Sequence, residues 1–341
     1  MRKLTLLFSL LLAVFFVHAQ SKAYDRLDMF EKEVPLEINL KTDLKDILGK
    51  KANDRMLYST MSMKIADSTV QGTVNIRARG KFRRNYCFVP PLKFDFDTSN
   101  SPSLNLLGSI DMTVQCKQGK DFEQWLFKEY TTYRIYNIIS DRSQHVRLVT
   151  LTMEDTEGKR KPVNVPGFFI EDFDVTAKRN ACKEIKLSKL HTENTDRKAM
   201  TLVAMFEYMI GNTDWSIPAN HNIKLMQDSG NATAKPYAVA YDFDYSGLVN
   251  ASDYAVPSEM LGTKSVTERV YRGFPREIGE LREIADHFIA KKAAVFAEIN
   301  GSKFLNDRSK KEMISYLEEF YKDIADDRML KTIFVDNARM N

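Results

Sequence analysis

The chain has 341 residues, 28% of them charged, with 50 Lys and Arg against 46 Asp and Glu. A formal charge of only +4 excludes the concentrated basic excess of a duplex-binding protein, so nucleic acid is not an expected partner. Cys87, Cys116 and Cys182 are too few and too widely spaced for a disulfide scaffold or a zinc knuckle; in an exported chain they allow one disulfide and one free thiol.

Arg2 and Lys3 precede an apolar run, Leu4 to Val17, that is short for a bilayer span, and Val17-His18-Ala19 resembles a cleavage site. The reading is a signal peptide over 1–19 and a mature chain from Gln20. It implies export to the periplasm, cell surface or medium, with no stable membrane span after cleavage. An uncleaved anchor is the rival. Between residues 35 and 115 the pattern is strands and turns: Leu36 to Leu40, Met61 to Ile65 and Val74 to Ala78 alternate apolar with polar. Leu92-Lys93-Phe94-Asp95-Phe96-Asp97 puts three apolar side chains on one face and Lys93, Asp95 and Asp97 on the other.

Residues 121–139 read as an amphipathic helix with Phe122, Leu126, Tyr133 and Tyr136 on one face, and Glu129 on that same face. Two strands follow, near 145–153 and 163–171. A helix over 197–210 carries Leu202, Met205, Phe206 and Met209 and stops at Gly211. A strand is expected over 237–245, and 265–330 reads as mostly helix with Phe288, Phe296, Tyr316 and Phe320 in the core. This order, β-rich with one helix and then mostly helical, is α+β and divides near residue 174.

Two acidic stretches carry the chemistry: Gly211-Asn212-Thr213-Asp214 with His221-Asn222, and Tyr241-Asp242-Phe243-Asp244. Asp214, Asn222, Asp242 and Asp244 offer hard oxygen ligands of the kind that hold Mg²⁺ or Mn²⁺ beside a phosphate. On a continuous strand Asp242 and Asp244 share a face about 7 Å apart. The plainer readings are an Asx-turn after Gly211, loop asparagines, and a structural Ca²⁺ site or simple solvent exposure at the strand end.

These segments, together with Ile76 to Arg84, Pro91-Leu92-Lys93-Phe94 and Gly167 to Asp174, resemble the CotH-type secreted kinases and more distantly the HipA-like kinases. They cover about residues 75–250. The resemblance implies a two-lobed, protein-kinase-like fold: a signal peptide over 1–19, a β-rich N-lobe with one helix over 20–174 that binds nucleotide, and a mostly helical C-lobe over 175–341 that carries the catalytic and metal-binding loops. It implies transfer of the γ-phosphate of ATP to Ser or Thr of an exported protein.

By the same resemblance Asp214 is the catalytic aspartate that orients or deprotonates the acceptor hydroxyl. Asn222 is the metal-binding asparagine, with Asn220 as competitor, because Asn222 lies eight residues after Asp214 where ordinary protein kinases use five. Asp242 and Asp244 are metal ligands, Asp242 favoured. Lys93 holds the α- and β-phosphates with Glu129 as its helix partner, and Glu171 and Phe173 sit where the hinge meets adenine. No Gly-x-Gly-x-x-Gly precedes Lys93; Arg79, Arg83 and Arg84 stand in that place, where guanidinium forks suit phosphate. The alternatives are a catalytically idle binding module of that fold, a protein AMP transferase, and a metal-dependent hydrolase, for which only His221 lies near the acidic cluster.

Overall fold

The structure, a computed structural model, describes residues 29–30, 34–49, 55–65 and 68–340. The signal segment over 1–19 and the mature start at Gln20 lie outside the described residues. The chain forms two compact units: the residues up to Lys117 together with Val146–Ile170, and Gln118–His145 together with the chain from Glu171 onward.

The first unit is a closed barrel of seven strands: β1 (Leu36–Thr42), β2 (Leu57–Ile65), β3 (Ser68–Ala78), β4 (Leu92–Asp95), β5 (Ser109–Val114), β6 (Val146–Asp155) and β7 (Val163–Ile170), in the order β1-β2-β3-β4-β5-β7-β6. Every pairing is antiparallel except the one that closes it, where β1 runs parallel to β6 from Leu36↔Val149 to Thr42↔Asp155. Alternation along each strand explains what lies inside. Leu36, Ile38 and Leu40 of β1 are buried while Glu37, Asn39 and Lys41 face out. With Met61, Val74, Ile76, Leu92, Phe94 and Met112 they form one apolar core.

Three single-turn helices ride on the barrel: α1 (Leu44–Ile47), α2 (Arg83–Tyr86) and α3 (Pro102–Asn105). α3 plugs against Gly72, where a Cβ would stand 2.7 Å from the Ser101 Cβ and 2.9 Å from a Leu104 methyl, so any larger residue there forces backbone apart. A disulfide joins Cys87, just after α2, to Cys116, just after β5, and leaves Cys182 as the free, buried thiol.

The second unit contains α4 (Lys120–Ile139), α5 (Phe173–Arg179), β8 (Cys182–Ile185), α6 (Arg197–Ile210), β9 (Ile223–Asp228), β10 (Tyr237–Ala240), α7 (Ile278–Gly301), α8 (Asp307–Ala325) and α9 (Asp327–Lys331). Its three strands form an antiparallel sheet in the order β10-β9-β8. α6 starts where the Asp196 carboxylate accepts from the Ala199 N–H at 2.9 Å and ends at Gly211, whose φ of 66° is the left-handed stop that glycine supplies without strain. The helical tract expected from 265 begins only at Ile278, capped by a reciprocal Glu277–Glu280 box. Among the described residues no helix is long and apolar enough to cross a membrane.

The two-lobed kinase-like fold expected from the resemblance, with a β-rich lobe holding one helix, is therefore not what forms. The β-rich half closes on itself as a barrel with mixed α/β surroundings, and the one long helix expected in it, α4, packs with the second unit instead. Alternation in the sequence specifies strands and their inner faces. Closure depends on β1 pairing with β6 across more than a hundred residues, and no local pattern encodes that.

Candidate functional site

The densest gathering of the anticipated residues lies in the second unit, at one end of the β9–β10 ladder. After Gly211 the chain turns back on α6: the Asn212 N–H donates to the Glu207 carbonyl at 2.8 Å, and the Asn212 side-chain oxygen accepts from the Asp214 N–H at 3.0 Å. The Asx-turn thus belongs to Asn212, which frees the Asp214 carboxylate for other work. Residues 216–221 form a tight hairpin in which Ser216 and His221 exchange two backbone hydrogen bonds of 2.9 Å. Ile217 and Trp215 are buried beneath it.

This hairpin aims two side chains at Asp214. The His221 Nε2 lies 2.8 Å from Asp214 Oδ1, and the Asn222 amide donates to both the Asp214 carbonyl (2.7 Å) and its Oδ2 (3.1 Å). Of the two asparagines the sequence left open, Asn222 is the one brought to Asp214, whereas Asn220 is exposed at the hairpin tip. With its amide nitrogen spent on Asp214, Asn222 keeps its side-chain oxygen as an acceptor or ligand.

Asp242 arrives from the other strand. β10 ends at Ala240, paired with Ile223, and the next rung is the Tyr241 N–H donating to the Asn222 carbonyl at 3.1 Å. Asp242 follows with φ of 66°, its N–H donating to the Tyr133 hydroxyl at 2.8 Å. Asn222 and Asp242 both hold positive φ without being glycine, and both stand where the ladder ends.

The strand expected to run to 245 thus stops five residues early, and Asp242 and Asp244 do not share one strand face. The cause is Phe243, fully buried with its ring 4.6 Å from Tyr133 and 5.6 Å from Phe206; seating it turns the backbone at Asp242. Asp242 remains part-exposed and Asp244 is buried.

Two ionisable residues that the sequence reading passed over lie under this loop. Glu207 is fully buried on α6, and burial pushes its carboxyl well above the usual range, with the Asn212 amide and Arg272 pulling it down and Asp214 adding to the rise. Arg272 is also buried; its guanidinium donates to the Thr213 and Trp215 carbonyls at 2.7 and 2.6 Å, bracing the backbone on both sides of Asp214. Burial lowers the Arg272 pKa, against the pull of Asp214 and Glu207. A signal for Glu207 existed: it stands one position after Phe206 and three before Ile210, inside the apolar stripe, where a carboxylate needs a reason. Arg272 left no comparable trace.

The other anticipated residues divide between the units. In the barrel Lys93 is half-buried on the outer face, beside Arg77 on β3 and Asp111 on β5. Arg79 is ion-paired with Asp111 at 3.2 Å, and an Arg83 Nη reaches the Val114 carbonyl at 3.5 Å. In the second unit Glu129 is buried on α4. Glu171 is buried and internally engaged: its Oε2 accepts from Thr176, Arg179 and the His145 N–H at 2.8, 2.9 and 3.2 Å, and its carbonyl accepts from Gln144 at 2.6 Å. Phe173 is buried at the start of α5, with the Lys224 ammonium 5.0 Å from its ring.

Among the described residues no group of three or more His, Cys, Asp or Glu is arranged as a self-sufficient metal centre. The donor set at the ladder end fits a different kind of site. Mg²⁺ at phosphate sites takes one or two carboxylates, keeps waters and completes its shell with phosphate oxygens, and Asn222 and Asp242 supply hard oxygens of that type. No family model matches this chain, and no curated protein gives a significant match.

Proposed function

We propose that the protein is an exported, metal-dependent phosphotransferase of the CotH type, transferring the γ-phosphate of ATP to a Ser or Thr hydroxyl of an exported protein. The reading rests on the loop chemistry and on no kinase-like architecture. The observation that carries it is the pair of strained, non-glycine residues Asn222 and Asp242 at one end of the β9–β10 ladder, with Asp214 hydrogen-bonded to the first of them. Positive φ at such residues costs of order 1–3 kcal/mol each and persists where the surrounding structure insists on it.

Asn222 and Asp242 would hold Mg²⁺ or Mn²⁺, which supplies charge neutralisation to the phosphates when bound. Asp214 orients the acceptor hydroxyl and takes its proton, and Asn222 and His221 fix the carboxylate for that role. Arg272 holds the loop backbone, so the carboxylate is placed before substrate arrives. The Cys87–Cys116 disulfide supports export, since such bonds persist in oxidising compartments.

The test is transfer from γ-labelled ATP with Mn²⁺, by the mature chain, to itself or to a secreted-protein fraction. Asp214→Asn and Asp242→Asn should each reduce transfer by about 10²–10⁴-fold with an unchanged melting temperature. Near-wild-type transfer by either variant overturns its role. Label retained from α-labelled ATP instead assigns AMP transfer to the same residues.

A further inference from the structure

The outer face of the barrel holds a concavity of about 510 Å³, lined by Asn39, Thr60, Ser62, Gln71 and Asn100, with Lys41 and Glu154 at one end. Its floor is built by strand register. Asn39 on β1 stands opposite Ser62 on β2, which stands opposite Gln71 on β3, and Lys41 lies between Thr60 and Glu154. All of these belong to the outward set, because their strand neighbours Leu40, Met61 and Met63 fill the core. Asn100 is tied to the wall by a reciprocal pair: the Thr73 N–H donates to its side-chain oxygen and its own N–H donates to the Thr73 hydroxyl, both at 3.0 Å.

We infer that this groove binds a neutral glycan, a ligand separate from the phosphotransfer reading. Among the described residues the side chains of Asn39, Thr60, Ser62 and Gln71 make no hydrogen bond within the protein, so amides and hydroxyls that both donate and accept are presented together to whatever occupies the groove. Small-molecule sites are mostly lined by apolar and aromatic side chains with a few polar groups; a lining of amides and hydroxyls instead matches a ligand made of hydroxyls. Lys41 and Glu154 stand side by side and cancel, which disfavours phosphates and polyanions. Tyr58, 70% exposed, stands two residues before Thr60 on the same outward face of β2, next to the groove lining, and offers a flat ring edged by a hydroxyl, the surface on which a sugar ring stacks. A peptide added as an extra strand finds no free edge on β1 or β2, which are paired on both sides; β3 pairs with β4 only over Asn75–Ala78, and at Thr73 its edge is taken by the Asn100 side chain.

The experiment is isothermal titration of the mature, disulfide-intact chain with cellohexaose, chitohexaose, maltohexaose, xylohexaose and mannohexaose to millimolar concentration. At least one is expected to bind saturably. Gln71→Ala and Tyr58→Ala should each weaken that binding roughly tenfold, the size of one lost hydrogen bond or stacking contact, while the melting temperature and the transfer activity stay as they were. Absence of saturable binding by all five overturns the inference, as does binding indifferent to both variants. A flexible Ser-rich peptide that binds as tightly and responds to the same variants would also overturn it, assigning the groove to protein chains.

Discussion

The barrel and the second unit solve the problem of burial in opposite ways. Among the described residues the barrel buries a continuous apolar core and only two charged side chains, Arg147 and Asp155, and Asp155 caps backbone amides of Leu44, Lys159 and Arg160. The second unit buries Lys128, Glu129, Glu171, Glu207, Asp244, Arg272 and Arg276. Burying charge is expensive unless each group is paired or neutralised, so a unit that does it repeatedly is spending stability on position. Glu207 and Arg272 show where: both sit directly under the loop that carries Asp214. The barrel buries mainly apolar side chains, and the second unit holds the charged groups on which the proposed chemistry rests.

The largest effect should come from the barrel core. Phe94, fully buried with its ring 5.3 Å from Phe169, should cost about 3–5 kcal/mol as Phe94→Ala, equally at low and high salt, because a cavity has no charge to screen. Denaturant melts at two ionic strengths measure this; a strong salt dependence would break the contrast between the units. Next is the Cys87–Cys116 bridge, which closes a separation of 29 residues and should contribute about 3–4 kcal/mol by restricting the unfolded chain. Unfolding of a Cys87→Ser/Cys116→Ser variant tests it, and unchanged stability would show that the bridge constrains nothing the barrel does not already fix.

In the second unit Arg272→Ala removes two charge-assisted hydrogen bonds to carbonyls and should cost about 2–4 kcal/mol, with a loss of transfer activity larger than the loss of folded protein explains. Activity falling only in step with the folded fraction would reduce Arg272 to a structural brace. Glu207 gives a smaller effect with a definite sign. Its folded pKa is raised, so the native state holds a proton that the unfolded state releases near 4.5. Its contribution is fully present below that pH and is lost as pH rises through the folded value. Glu207→Gln, a neutral isostere, should match the wild type at pH 4 and become progressively more stable than it toward alkaline pH. Parallel pH profiles of melting temperature decide this, and two curves that never diverge would mean Glu207 is ionised in the folded protein.

The smallest effect belongs to the surface. Arg197 hydrogen-bonds Glu280 and holds its carboxyl down to about 2, yet both side chains are more than a third exposed. Solvent screening leaves such a pair about 0.2–1 kcal/mol in a double-mutant cycle, lost as pH falls from 4.5 toward 2. A coupling of several kcal/mol would show that the second unit's charges act as one network extending to its surface.

Local physics in the sequence determined much of this protein. The period of 3.6 placed the helices at 121–139 and 197–210, against observed spans of Lys120–Ile139 and Arg197–Ile210, and Gly211 ended the second because glycine alone takes the left-handed cap freely. Alternation placed Leu92, Phe94 and Phe96 on a buried face with Lys93 turned outward. The types and order of Asp214, Asn222 and Asp242 singled out the two loops that the fold brings together at the end of the β9–β10 ladder.

Only the tertiary structure decided the rest. The barrel closes through a parallel contact between β1 and β6, which pays its loop entropy across a hundred residues and leaves no local mark. α4, read as part of the β-rich half from its place in the chain, joins the second unit because its Tyr133 and Tyr136 pack on Phe243 and Phe206. Asp242 leaves the strand with a positive φ, and the next residue, Phe243, is seated in that same aromatic cluster. The choice between Asn220 and Asn222 fell to a two-bond hairpin between Ser216 and His221 that turns one asparagine inward and the other to solvent. Side-chain periodicity is a property of neighbours in sequence; these outcomes are properties of residues that meet only after the chain has folded.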